Sequence, residues 1–184
     1  MLLVRPGIPF PPRRVLAPVD FSTGSTGALR FGLSFLEAVA GKLPSLEALF
    51  VMSPGESTLH FSPEQIARFA TAELHRFVDK AIPQVARTVD CQVRSGYPAE
   101  QIVLEIEEKH PELAFLGTRE KSGLERLMIG SVATSLLREA PCNVLVVPPE
   151  IAHLEAQEIE AQAARTADWS YVSDEQPELA GVKS

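Results

Sequence analysis

The sequence predicts an α/β fold: one doubly wound domain in which a five-stranded parallel sheet is covered by helices on both faces. Three observations carry this. Five short apolar runs alternate with four segments of helical periodicity, the pattern of βαβ crossovers. The runs are short and largely apolar, as strands buried on both faces are. Hydrophobic residues make up 45% and charged residues 22% of the 184, enough for a sizeable core in one domain with some chain left over.

Taken in order, residues 1–12 carry Pro6, Pro9, Pro11 and Pro12 and read as an extended arm outside the core. Val15 to Asp20 is the first strand, although Pro18 argues against a central strand except where the strand is ending. Phe21 to Gly27 is a loop able to cap a helix. That helix, from about Ser25 to Ala40, puts Leu29, Leu33 and Leu36, with Val39 or Ala40, on one face, and Gly41 stops it.

Leu46 to Met52 is the second strand, and residues 53–62 form a long loop. Ser62-Pro63-Glu64 opens a helix with serine as cap and proline in the first turn, followed by a stripe of Ile66, Phe69 or Ala70, Leu74 and Phe77. Val89 to Arg94 is the third strand. Pro98-Ala99-Glu100 opens a helix whose Ile102, Val103 and Ile106 face inward. Leu113 to Leu116 is the fourth strand, Val132 to Arg138 the fourth helix, and Asn143 to Val147 the fifth strand, closed by Pro148-Pro149. Residues 150–166 suit a weakly amphipathic acidic helix, and 167–184 read as disordered.

Charge is unevenly placed. Residues 1–149 hold 15 basic and 16 acidic side chains, a balance of −1, while residues 150–184 hold 2 and 8, a balance of −6. Neither part offers a basic surface for nucleic acid. No apolar run approaches the roughly 20 residues of a membrane span. The proline-broken N-terminus does not suit a secretory signal, and Cys91 and Cys142 read as reduced core residues. The expected compartment is the cytoplasm.

In such sheets ligands bind at the carboxyl ends of the strands, where the strand order reverses. The fourth strand ends at Gly117, a loop of small and basic residues follows (Thr118 to Gly123), and Gly130-Ser131 opens the next helix. That layout suits a loop holding phosphate with backbone N–H groups. Its simpler reading is a helix start, just as Asp20 reads simply as a helix-entry cap and Ser22 and Ser25 as capping residues.

His60, His75, His110 and His153 are scattered and form no ligand set. They also lack the histidine-x-glycine-histidine signature of nucleotidyl transferases. A response-regulator receiver needs an aspartate after the third strand and a lysine after the fifth; the chain has Ser95-Gly96 and Pro148 there. No nucleophile with an adjacent base can be identified, so no catalytic residue and no metal ligand is assigned.

The residues resemble the universal stress protein family over about 13–148. The resemblance rests on Val15 to Asp20 with Ser22 and Ser25, and on Val93-Arg94-Ser95-Gly96 with Pro98-Ala99. It also rests on Gly117 to Val147, with Lys121-Ser122-Gly123-Leu124, Arg126-Leu127, Gly130-Ser131-Val132-Ala133 and Ala140-Pro141-Cys142. It implies the strand order 3-2-1-4-5 and a homodimer through the strand Asn143–Val147, whose apolar edge otherwise stands open. It further implies that Gly117, Gly130, Ser131, Val132 and Ala133 hold ATP phosphates, and that Val19, Asp20, Val51 and Leu116 border the adenine and ribose.

The nucleotide-binding branch has a second glycine three residues after the first; here Glu120 stands in its place. Losing glycine costs about 1–2 kcal/mol if the backbone must be left-handed. A carboxylate about 4 Å from a phosphate charge costs up to roughly 4 kcal/mol at an effective dielectric of 20. Together they lower affinity by about three orders of magnitude. Arg119 and Lys121 flank Glu120, rotation into solvent relieves it, and a bound metal ion can use it. The expected function is a cytoplasmic stress-response protein that binds ATP or AMP as a regulatory ligand, with Mg2+ as a candidate counter-ion and at most weak ATPase activity. The alternative is a dimeric protein-interaction module that has lost the nucleotide.

Overall fold

A computed structural model describes residues 1–54, 62–118 and 130–148, together with 151 and 154. Its elements run β1 (Leu2–Leu3), β2 (Arg14–Val19), α1 (Thr23–Ala40), β3 (Ser45–Met52), α2 (Pro63–Ala81), a 3-10 turn (Ala86–Thr88), β4 (Val89–Ser95), α3 (Pro98–Lys109), β5 (Leu113–Gly117), α4 (Ser131–Glu139) and β6 (Asn143–Val147). The sheet order is β1-β6-β5-β2-β3-β4. Its five parallel strands therefore lie in the expected order, third-second-first-fourth-fifth.

The sixth strand is the difference. Leu2 pairs with Leu145 and Leu3 with Val144, antiparallel to β6. Residues 1–12 thus reach the sheet edge instead of lying wholly outside it, and Pro12 is buried. Arg5 fixes the crossing: its backbone N–H donates to Asn143 Oδ1 at 2.8 Å and its guanidinium to the Leu137 carbonyl at 2.7 Å, capping the end of α4.

Helices sandwich the sheet in two apolar layers. On one face Leu29, Leu33 and Leu36 of α1 and Leu74, Val78 and Ala81 of α2 pack against Val15, Ala17, Ala48 and Phe115. On the other, Ile102 and Ile106 of α3 and Ala133 and Leu136 of α4 pack against Leu16, Leu49, Ala114 and Val144. Strand alternation sends successive residues to opposite layers, which is why each short apolar run feeds both.

Local chemistry sets the helix ends. Ser62 and Gln65 form a reciprocal capping box at the start of α2, with Pro63 in its first turn. Arg30 of α1 donates to the Ala81 and Lys80 carbonyls at the other end of α2. Gly41, at φ 66°, closes α1. Of Phe69 or Ala70, expected on the inward stripe of α2, Phe69 is 59% exposed and Ala70 half-buried, while full burial falls on Leu74, Val78 and Ala81.

Pro18 lies inside β2, opposite Leu49 of β3. Recorded pairing between β2 and β5 covers Val15 with Leu113 and Leu16 with Ala114, so it has ended before Pro18. A residue without an N–H is tolerated where the ladder on one side, here toward β5, is already finished. The same early end leaves Asp20 and Gly117 at the carboxyl edge of the sheet, at its switch point.

Candidate site at the carboxyl edge of the sheet

β2 delivers Asp20 to this edge, and the loop behind it is tightly bonded. Asp20 Oδ1 accepts from the Ser22 N–H at 3.2 Å, the Ser22 hydroxyl at 2.5 Å and the Ser25 hydroxyl at 2.6 Å. Ser25 Oγ accepts in turn from the Asp20 N–H at 3.1 Å, and Ser22 Oγ accepts from the Ser25 N–H at 3.1 Å as the N-cap of α1. The carboxylate therefore organises the entry to α1. Between the two, Phe21 takes a left-handed backbone at φ 61°, held by ring contacts to Phe50 at 4.3 Å and Phe77 at 5.4 Å.

Gly117 ends β5 directly beneath this loop. A Cβ built there would sit 2.3 Å from the Gly24 carbonyl oxygen, far inside contact distance. A Cβ on Gly24 would in turn meet the Thr118 carbonyl oxygen at 3.0 Å. The first turn of α1 is thus seated on the end of β5, and Gly117 is glycine for packing. Thr118 is buried, its N–H donating to the Val147 carbonyl at 3.1 Å.

Gly130 is a different case. Its φ of −59° and ψ of 162° suit any L-residue, and a Cβ there would meet nothing within 4 Å among the described residues. It is the N-cap of α4, and no side-chain cap bonds to the first turn among the described residues. The Thr134 N–H already bonds the Gly130 carbonyl at 2.9 Å. The N–H groups of Ser131, Val132 and Ala133 precede it and have no partner within a helix, so they and the helix dipole favour an anion at this helix start.

Ser131 is exposed, Val132 half-buried and Ala133 buried. Val51, Leu116 and Ala133 belong to one buried cluster on this face of the sheet, with Val132 packed against it. Val19 packs with the opposite layer and offers this side only its backbone. Glu120 and the rest of residues 119–129 lie outside the described residues, as do His60 and His153.

A second polar cluster was not legible in the sequence. Glu47 of β3 and Glu105 of α3 turn toward each other between sheet and helix, with Glu105 only 2% exposed. Arg94 of β4 forms ion pairs with Glu105 and with Glu108. Burial above all, then the hydrogen bond and like charge of Glu105, raises Glu47 to about 7. Glu105 sits at the helical spacing of an inward position beside Ile102 and Ile106, which was its one signal. Gly24 was also missed; glycine in a first helical turn is the trace of its close approach.

Cys91 and Cys142 are free thiols, each pushed up to about 11, chiefly by burial, and so are poor nucleophiles at neutral pH. No group of three or more metal-ligating side chains occurs among the described residues. No helix there is long and apolar enough to cross a membrane.

The sequence model described as the Universal stress protein family matches residues 12–148. A universal stress protein of Methanocaldococcus jannaschii, MJ0531, is 27% identical over 139 residues, covering 73% of this chain and 81% of its own. Two solved structures share the fold. One is a universal stress protein in complex with cAMP (TM-score 0.53, 20% identity, 74% of this chain and 96% of that one). The other is a universal stress protein family protein from Arabidopsis thaliana with AMP bound (TM-score 0.51, 18% identity, 74% and 92%).

Proposed function

Since this chain belongs to the universal stress protein family, we propose that it binds an adenine nucleotide, ATP or AMP, as a regulatory ligand in a cytoplasmic stress response. The observation that carries this is Gly130. Among the described residues neither backbone angle nor packing calls for glycine there, and no side chain caps the helix it opens. A phosphate close to the backbone is what the missing side chain admits. Family members solved with cAMP and with AMP support the ligand class.

In this reading the N–H groups of Ser131, Val132 and Ala133, beside Gly130 and Gly117, hold the phosphates, with Mg2+ as counter-ion for ATP. Val51 and Leu116 border the adenine. Asp20 faces the ribose while holding Ser22 and Ser25, and Val19 contributes through its backbone. Hydrolysis is slow at most, because the Asp20 carboxylate at this edge is already engaged by Ser22 and Ser25. Equilibrium dialysis with labelled ATP and magnesium tests the reading, and absence of binding at millimolar ligand rejects it.

Glu120 favours a second reading, a protein-interaction module that has lost the nucleotide. Glu120→Gly separates the two, since binding that appears only in the variant supports the module. The homodimer expected through Asn143–Val147 pairs two copies of β6 and forms only where Leu2–Leu3 has left that strand.

A further inference from the structure

β6 is the most completely buried strand of the sheet: Asn143, Val144, Leu145, Val146 and Val147 are each 5% exposed or less. Helices cover its faces, while its outer edge is covered by residues 1–5 of the same chain. Met1 accepts from the Val146 N–H at 2.8 Å, Leu2 and Leu3 pair with Leu145 and Val144, and Arg5 holds Asn143 and the end of α4. We propose that residues 1–5 are an intramolecular lock on the β6 edge, and that displacing them opens it to antiparallel pairing with β6 of a second copy of this chain.

Three features argue for a lock that can open. The strand is two residues long, so few ladder bonds hold it. Of the segment's apolar side chains Leu3 alone is half-buried, packed on the inner cluster, while Met1 is 59%, Leu2 38% and Val4 57% exposed. Pro6 and Gly7 follow at once, Gly7 with φ 78°, so the segment ends at a bend and not in a longer strand. Segments held by few buried contacts open far below the cost of global unfolding.

The occupant is a second copy because β6 is suited to itself. From Asn143 to Val147 it carries no charge, so a two-fold pairing sets no like charges opposite each other. A five-residue uncharged edge is also the kind that proteins keep covered. The inference rests on the proposed two-fold association and adds its condition; it is independent of the nucleotide.

The test compares the full chain with a form lacking residues 1–5 and with Arg5→Ala, by light scattering at micromolar concentration. Far-UV circular dichroism checks the fold, and hydrogen exchange reads the Val146 amide. The full chain is expected as a monomer, the shortened form as a folded dimer of twice its mass, and Arg5→Ala as a concentration-dependent mixture. A synthetic peptide of residues 1–12 added in excess returns the shortened form to monomer. If every form is dimeric with Val146 equally protected, the lock is overturned while the association stands. If the folded shortened form stays monomeric, both are overturned, and a form that unfolds shows the segment to be a structural strand and overturns the lock.

Discussion

Gly117 and Gly24 meet backbone to backbone: a Cβ at Gly117 would lie 2.3 Å from the Gly24 carbonyl oxygen. The contact seats the first turn of α1 on the end of β5 and so sets where Asp20, Ser22 and Ser25 stand. Gly117→Ala must push the two elements apart, and overpacking of this kind costs about 1–3 kcal/mol. Gly130→Ala meets no neighbour among the described residues and should stay within about 0.5 kcal/mol of the unaltered protein. Urea unfolding of the two variants checks this. Equal stability losses would show that the close approach does not discriminate them.

The same pair predicts a split in ligand binding. Gly130→Ala leaves the fold intact and places a methyl group where the phosphate is proposed to lie. Its nucleotide affinity should fall about tenfold or more, equivalent to about 1.4 kcal/mol. Titration calorimetry reads it, and unchanged affinity would remove Gly130 from the site.

Asp20 predicts a stability effect beyond any ligand. Asp20→Ala removes the acceptor of three bonds and leaves the Ser25 hydroxyl, which is buried, without the carboxylate it donates to. The cost should be about 1–3 kcal/mol without nucleotide present. Ser22→Ala, which also deletes the N-cap of α1, should cost about 1 kcal/mol. Thermal unfolding of the ligand-free variants measures both, and an unshifted midpoint for Asp20→Ala would leave the carboxylate only a ligand-binding task.

Between the sheet and α3, the Glu47 carboxyl is raised to about 7 from 4.5, so the folded state binds its proton more tightly than the unfolded chain does. Its contribution to stability is complete below 4.5 and is lost as pH rises through about 7. Asp90 raises it further, and Lys109 opposes the shift. Glu47→Gln, which does not titrate, should therefore gain stability on the unaltered protein between pH 5 and pH 8. Arg94→Ala acts in the opposite sense, leaving Glu105 buried without its cation. The loss should be about 2–3 kcal/mol, the low side for a buried pair because Arg94 keeps 24% exposure. Urea midpoints at the two pH values decide; parallel curves for Glu47→Gln would refute the raised Glu47 carboxyl.

What the sequence disclosed was whatever a local window carries. The five parallel strands are short apolar runs, and their burial in two layers is written in the runs themselves. Caps such as Ser22 and Ser62 are legible because the bonds span three residues. β1 was not, because Leu2 and Leu3 are a strand only by virtue of Leu145 and Val144, more than 140 positions away. Glu47 and Glu105 each read as ordinary surface carboxylates until the fold brings β3 and α3 together. Gly117 could be placed at the strand end, but its reason, the Gly24 carbonyl, is a contact between distant segments. At the proposed site Val51 and Leu116 as neighbours of the adenine and Ala133 as a neighbour of the phosphates came from the family resemblance; that Val19 faces the other layer follows from strand alternation.

The central claim is that the start of α4 beside Gly117 holds an adenine nucleotide despite Glu120. Equilibrium dialysis of labelled ATP with magnesium against the unaltered protein, Gly130→Ala and Glu120→Gly tests it directly. The account predicts saturable binding by the unaltered protein, weaker binding by Gly130→Ala and tighter binding by Glu120→Gly. Absence of binding by the unaltered protein at millimolar ATP would contradict it.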